Sequence, residues 1–96
     1  MSNIQFEWNE KKNLENQKKH KVTFEEAKTV FDDDNARFIP DPDHFQDEDR
    51  FILLGFSLNL HMLVVVHCYR RNDELIRIIS ARKATKNEEN QYNRRI

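Results

Sequence analysis

The residues best equipped for chemistry sit in two C-terminal stretches. His67 and Arg70 follow the apolar run Leu63-Val64-Val65-Val66, and Arg77 and Arg82 interrupt an isoleucine-rich segment around Ile76, Ile78 and Ile79. An imidazole titrates near neutrality and suits proton transfer. A guanidinium stays charged, and its fork can hold two phosphate oxygens. Such a set could serve RNA cleavage without a metal. That reaction needs a base for the ribose 2′-hydroxyl, cations for the crowded phosphate charge and an acid for the leaving 5′-oxygen. Preorganised positive charge is usually the largest of these contributions. The structural alternative has His67 bonded within a sheet and the arginines on its rim. Arginine inside an apolar strand is costly unless paired or facing water, so a functional face is a fair reading of Arg77 and Arg82.

Other candidates lie upstream. Lys12, Lys19 and His20 sit on or just after a polar helical segment. They could track RNA phosphates or form a solvated helix face. Arg50 follows an acidic segment, as a salt-bridge partner or an RNA contact. Glu89 and Tyr92 stand three apart and suit a helix-surface pair. His44 with Asp41, Asp43 and Asp47 lacks a ligand framework such as an EF-hand loop, so neither a metal site nor a cofactor is expected. Cys68 fits a small sheet residue.

Composition narrows the classes. The 96 residues make a single domain, 1–96, with modest stability. One cysteine excludes an internal disulfide and a cysteine-based zinc site, and fits a reducing, cytoplasmic setting. One glycine, Gly55, excludes a Gly-rich phosphate loop. No signal peptide is read at the N-terminus, and no apolar run is long enough to span a membrane. The net charge of −1 hides an asymmetry: eight of the 17 acidic residues fall between Asp32 and Asp49, where Arg37 is the only base. The rest of the chain holds 15 basic and 9 acidic residues, a net +6. The acidic stretch is therefore expected away from any RNA-binding face.

The positioning elements follow from pattern. Alternation of Ile4, Phe6 and Trp8 predicts a short strand. Asn9 can cap a helix to about Lys19 whose only apolar residue is Leu14, so its packing should be slight. Thr23 and Glu26 form a capping box, and Phe24, Ala27, Val30 and Phe31 share one face of a helix from Phe24 to Phe31. Ala36 to Ile39 suits a short strand, and Pro40-Asp41-Pro42-Asp43 a turn. Segments Arg50 to Phe56, Leu60 to Arg70 and Glu74 to Arg82 are separated by short breaks and predict an antiparallel meander. Thr85 and Glu88 form a second capping box, opening a last helix. The fold class is α+β: an N-terminal strand and two helices packed on an antiparallel meander, with a C-terminal helix. The unalternating Leu63 to Val66 run requires cover on both sheet faces, and the weakly apolar last helix makes a partner protein a plausible cover.

Register decides which candidates can cooperate. Pairing Arg71 with Glu74 puts His67 opposite Ile78 and Cys68 opposite Arg77. His67, Tyr69, Ser80 and Arg82 then share one face, with Arg70 and Arg77 on the other. A bulge or one-residue slip would regroup them.

The sequence also resembles a known family. Phe6-Glu7-Trp8-Asn9, Lys12-Asn13 and Lys19-His20-Lys21-Val22-Thr23-Phe24-Glu25-Glu26-Ala27 look like the opening of the BrnT toxins. Arg50, Gly55, Val64-Val65-Val66-His67 and Arg70 continue the pattern, and Ile76 to Thr85 with Glu89 and Tyr92 complete it. Lys21 stands where that family often has glycine, and Cys68 where it often has threonine. The resemblance implies a RelE-like fold and a metal-independent endoribonuclease toxin of a type II toxin–antitoxin system that arrests translation. It implies a partner, a DNA-binding BrnA-like antitoxin that neutralises the toxin in a hetero-oligomer and links it to operator DNA only indirectly. His67, Arg70, Arg77 and Arg82 are then the catalytic candidates, and Lys12, Lys19 and Arg50 the RNA-binding ones. The rival expectation is a non-catalytic binding module acting through the antitoxin in operon autoregulation.

Overall fold

A computed structural model describes residues 4–40, 50–72 and 74–94. The acidic residues from Asp41 to Asp49, the His44 cluster and the proline–aspartate turn beyond Pro40 lie outside the described residues. The elements run β1 (Gln5–Glu7), α1 (Glu10–His20), α2 (Phe24–Thr29), a 3-10 turn (Val30–Asp32), β2 (Arg37–Pro40), β3 (Arg50–Phe56), β4 (Met62–Arg70), β5 (Leu75–Lys83) and α3 (Lys86–Asn93). They make an α+β fold around one five-stranded sheet in the order β1-β5-β4-β3-β2. The expected meander is β3-β4-β5, antiparallel throughout. The sheet as a whole is mixed, because β1 joins it parallel to β5. Short-range pattern cannot reveal that pairing, since the two strands are nearly 70 residues apart.

Helices cover both faces. Val22, Phe24, Ala27 and Val30 pack on Leu53, Leu63, Val65, Ile78 and Ala81 to form the main core. Burying each of the larger side chains is worth roughly 1.5–3 kcal/mol. On the opposite face, Tyr92 of α3 packs on Leu54 and Val64. This two-sided cover explains the unalternating apolar run in β4. Gly55 is required by a close approach. A Cβ there would lie 2.8 Å from Asp33 Oδ2 and 2.9 Å from Ala36 Cβ.

Helix α1 is attached by hydrogen bonds rather than by apolar burial. Its one leucine, Leu14, is 55% exposed, whereas Asn13 and Asn16 are buried. Asn13 Oδ1 accepts from the Phe24 amide at 2.9 Å. The Asn16 amide donates to the carbonyls of Val22 and Ala81, each at 2.8 Å, and its oxygen accepts from the Ala81 amide at 3.1 Å. Asn16 thus replaces the neighbouring strand that β5 loses where β1 ends, and keeps its edge groups satisfied. The helix closes on Lys21 in the left-handed region, φ 62°. That is the conformation in which glycine is favoured over a side-chain-bearing residue.

The two capping boxes end differently. Thr85 and Glu88 form the full reciprocal box. At Thr23 only half forms: its side chain accepts from the Glu26 amide. The Glu26 carboxylate instead receives Ser57 Oγ at 2.6 Å and lies 2.8 Å from His61 Nδ1, fastening the β3–β4 hairpin to α2. Those partners hold its carboxyl below the usual range against the opposing effect of burial.

Candidate active site

A row of residues crosses four strands on the sheet face that α3 only partly covers. Glu7 in β1 pairs with Arg77 in β5, Arg77 with Cys68 in β4, and Cys68 with Arg50 in β3. Directly opposed residues point to the same side of a sheet. Arg70 stands two residues beyond Cys68 and shares its face. Adjacent strands lie about 4.8 Å apart, so Arg50 and Arg77 flank the small Cys68 like two walls on a low floor. Together with Arg50, Cys68, Arg70 and Arg77, the residues Asn9 and Lys12 from the β1–α1 junction and Ile78 and Ile79 of β5 line a cleft of about 410 Å³, open solvent at its mouth included. Glu7 organises one wall: its Oε2 accepts from Arg77 at 2.8 Å and lies 3.8 Å from Arg70 Nε.

The grouping depends on one bulge. From Arg70 to His67 the strands pair in the expected register, His67 opposite Ile78 and Cys68 opposite Arg77. The register then shifts between Val66 and His67, and Val66 pairs with Ser80. Ile79 is the extra residue, so Arg82 turns to the Arg77 side instead of the His67 side. Arg82 nevertheless lies several residues along the strand from the cleft. Its guanidinium grips Glu88 through two bonds of 2.8 Å. The pair raises the Arg82 pKa and lowers Glu88 to about 2, despite the opposing effect of partial burial on each. Arg82 therefore anchors the start of α3.

His67 sits on the opposite face, fully buried in a box of Phe31, Phe38, Phe51 and Tyr69 with ring centroids 4.9–6.3 Å away. Its Nδ1 lies 3.3 Å from the Val65 carbonyl. Its Nε2 has no hydrogen-bond partner among the described residues. Burial depresses its pKa from 6.5 to about 4, the contact with Val65 opposing the shift. The ring is neutral at neutral pH and is walled off from the cleft by the sheet.

Of the remaining candidates, Lys12 lines the cleft, while Lys19 and His20 line an adjoining groove with Lys12, Glu15, Asn16, Ile79 and Ser80. Lys12 and Ile79 belong to both, so the two depressions are continuous along α1. Tyr92 donates to Asp33 Oδ2 at 2.9 Å and packs in the α3 core, a structural position. Asp33 also accepts from the Phe56 amide. It therefore sits at the end of β3 remote from Arg50. Among the described residues no group of three or more His, Cys, Asp or Glu could hold a metal ion. No helix among them is long and apolar enough to cross a membrane. The sequence pattern does not single out Glu7. Its local signals are a place in an alternating strand and in the Phe6-Glu7-Trp8-Asn9 motif, and neither marks the carboxylate for chemistry.

The chain matches a family model described as ribonuclease toxin, BrnT, of type II toxin–antitoxin system, over residues 8–88. No curated protein matches it. Among solved structures, it is similar to the crystal structure of the Brucella abortus ribonuclease toxin, BrnT, with a TM-score of 0.67 and 22% identity, over 86% of this chain and 99% of that one. At that identity the likeness speaks for the fold.

Proposed function

The chain belongs to the BrnT family of ribonuclease toxins of type II toxin–antitoxin systems, and from that premise we propose that the arginine cleft is where it cuts RNA. The observation that carries this reading is the cross-strand row, with Arg50 and Arg77 flanking Cys68 and Arg70 beside them. Two guanidinium forks across a narrow floor suit the non-bridging oxygens of one phosphate. They supply positive charge where it builds up in the transition state, and their positions are set by strand pairing. In this reading the reaction is metal-independent, endonucleolytic attack by the ribose 2′-hydroxyl, and it arrests translation in the cytoplasm. Lys12 contacts the substrate in the cleft, and Lys19 holds RNA backbone in the adjoining groove. His67 and Arg82 take no direct part. The fold is RelE-like, and a BrnA-like DNA-binding antitoxin neutralises the toxin in a hetero-oligomer that alone reaches operator DNA.

The test is incubation of the purified protein with a mixed RNA pool in EDTA, with mapping of the ends. The expected products carry 2′,3′-cyclic phosphates, and Arg77→Ala lowers the rate by about a hundredfold or more. Intact RNA at high protein excess would refute the reading. The rival, a non-catalytic binding module, is favoured by apolar exposure at the β3–β4 hairpin, where Leu58 is 74% and Leu60 78% exposed. Normal growth of cells accumulating soluble protein would favour that rival.

A further inference from the structure

We propose that Glu7 is the general base that deprotonates the ribose 2′-hydroxyl, and that Lys12, the one lysine lining the same cleft as Arg50, Arg70 and Arg77, is the acid for the leaving group; the proposal rests on RNA being cut in the arginine cleft. Glu7 Oε2 is held at 2.8 Å by Arg77. A phosphate gripped by Arg77 therefore lies beside this carboxylate. The second oxygen, Oε1, makes no hydrogen bond to any described residue, and the side chain is 36% exposed. One oxygen is thus fixed by a cleft arginine while the other carries no such bond, as a positioned proton acceptor requires.

Elimination points the same way. His67 is buried on the other face. His61 is engaged by Glu26 at the hairpin. His20 lies eight residues along α1 from Lys12, roughly 12 Å at 1.5 Å per residue. Glu10 is nearby, but its two oxygens receive Trp8 Nε1 and Asn13 Nδ2. Among the described carboxylates, Glu7 is the one joined to the cleft arginines.

The step balances. The 2′-hydroxyl proton passes to the Glu7 carboxylate as the 2′-oxygen bonds to phosphorus. The bond from phosphorus to the 5′-oxygen breaks, and that oxygen takes a proton from the Lys12 ammonium. The products are a 2′,3′-cyclic phosphate and a free 5′-hydroxyl. Water then carries the Glu7 proton back to Lys12.

The experiment compares wild type, Glu7→Gln and Lys12→Ala on a uridine-containing dinucleotide and on uridine 3′-(4-nitrophenyl phosphate). The nitrophenolate leaves without a proton, so only the base is needed there. The amide oxygen introduced by Glu7→Gln can still accept from Arg77, and a urea unfolding curve measured alongside checks the fold. Glu7→Gln is expected to lower kcat by about 10²–10⁴ on both substrates, with KM nearly unchanged and the acid limb of the pH profile lost. Lys12→Ala is expected to slow the dinucleotide far more than the nitrophenyl ester. Glu7→Gln within threefold of wild type would overturn the assignment. So would a loss carried by KM and by weaker uridine 3′-phosphate binding with the acid limb intact, which would make Glu7 a positioning residue for Arg77. Equal losses on both substrates for Lys12→Ala would overturn its acid role. A wild-type chain that cuts neither these substrates nor RNA would instead overturn the ribonuclease reading itself.

Discussion

Replacing His67 with phenylalanine separates burial from catalysis. The native ring is fully buried among four aromatic rings, and its Nε2 lacks a partner among the described residues. An unsatisfied buried nitrogen costs about 1–3 kcal/mol, whereas the long Nδ1 contact returns about 0.5–1. Phenylalanine removes both and keeps the edge-to-face contacts, while its slightly larger ring can press on the half-exposed Phe38. His67→Phe should therefore gain about 1 kcal/mol at pH 7, a rise of about 4–8 °C in Tm. Acidification should widen the gap. Folding lowers the His67 pKa from 6.5 to about 4, so the unfolded chain binds the proton more tightly. The stability tied to neutral His67 is complete above pH 6.5 and falls as the pH drops toward 4. Linkage puts the loss at about 2 kcal/mol by pH 5. Urea unfolding at pH 7 and pH 5 measures it, because contributions from carboxylates cancel between wild type and variant. At an m-value of about 1 kcal/mol/M, the wild-type midpoint should fall by roughly 2 M more than that of His67→Phe. Equal pH dependence would refute the neutral buried ring. Loss of RNA cleavage in a well-folded His67→Phe would show that the ring acts in catalysis after all.

Other substitutions test the remaining links. Asn16→Ala strands the edge groups of Ala81 and the Val22 carbonyl and should cost about 3 kcal/mol or more by chemical denaturation. Gly55→Ala forces a Cβ against Asp33 and Ala36, and a loss of about 1–3 kcal/mol is expected. Glu88→Gln weakens a half-exposed ion pair with Arg82; a loss of about 0.5–1 kcal/mol that shrinks in high salt is expected. In wild type that contribution is present above pH 4.5 and fades toward pH 2. Lys19→Ala should weaken binding of long RNA and reduce its salt dependence, with dinucleotide turnover unchanged.

Much of this molecule is local and was therefore legible. Strand alternation around Phe6, the Asn9 and Thr85 caps, the apolar face of α2 and the three-strand meander depend on residues within a few positions of one another. The pairings of His67 with Ile78 and of Cys68 with Arg77 followed from the turn between their strands. The basic surplus outside the acidic stretch and the matching motifs pointed to RNA and to the family. Tertiary structure decided the rest, because it depends on groups far apart in the chain. The polar helix α1 is held by Asn16 bonding to Ala81, 65 residues away. Glu7 reaches the cleft arginines only because β1 docks parallel to β5 and places it opposite Arg77. The bulge at Ile79 turned Arg82 away from the His67 face, and α3 then claimed it through Glu88. A side chain's type sets the chemistry it can do. Register, bulge and long-range pairing determine which face it reaches, and in this sheet they brought together Arg50, Arg70 and Arg77 and left His67 behind.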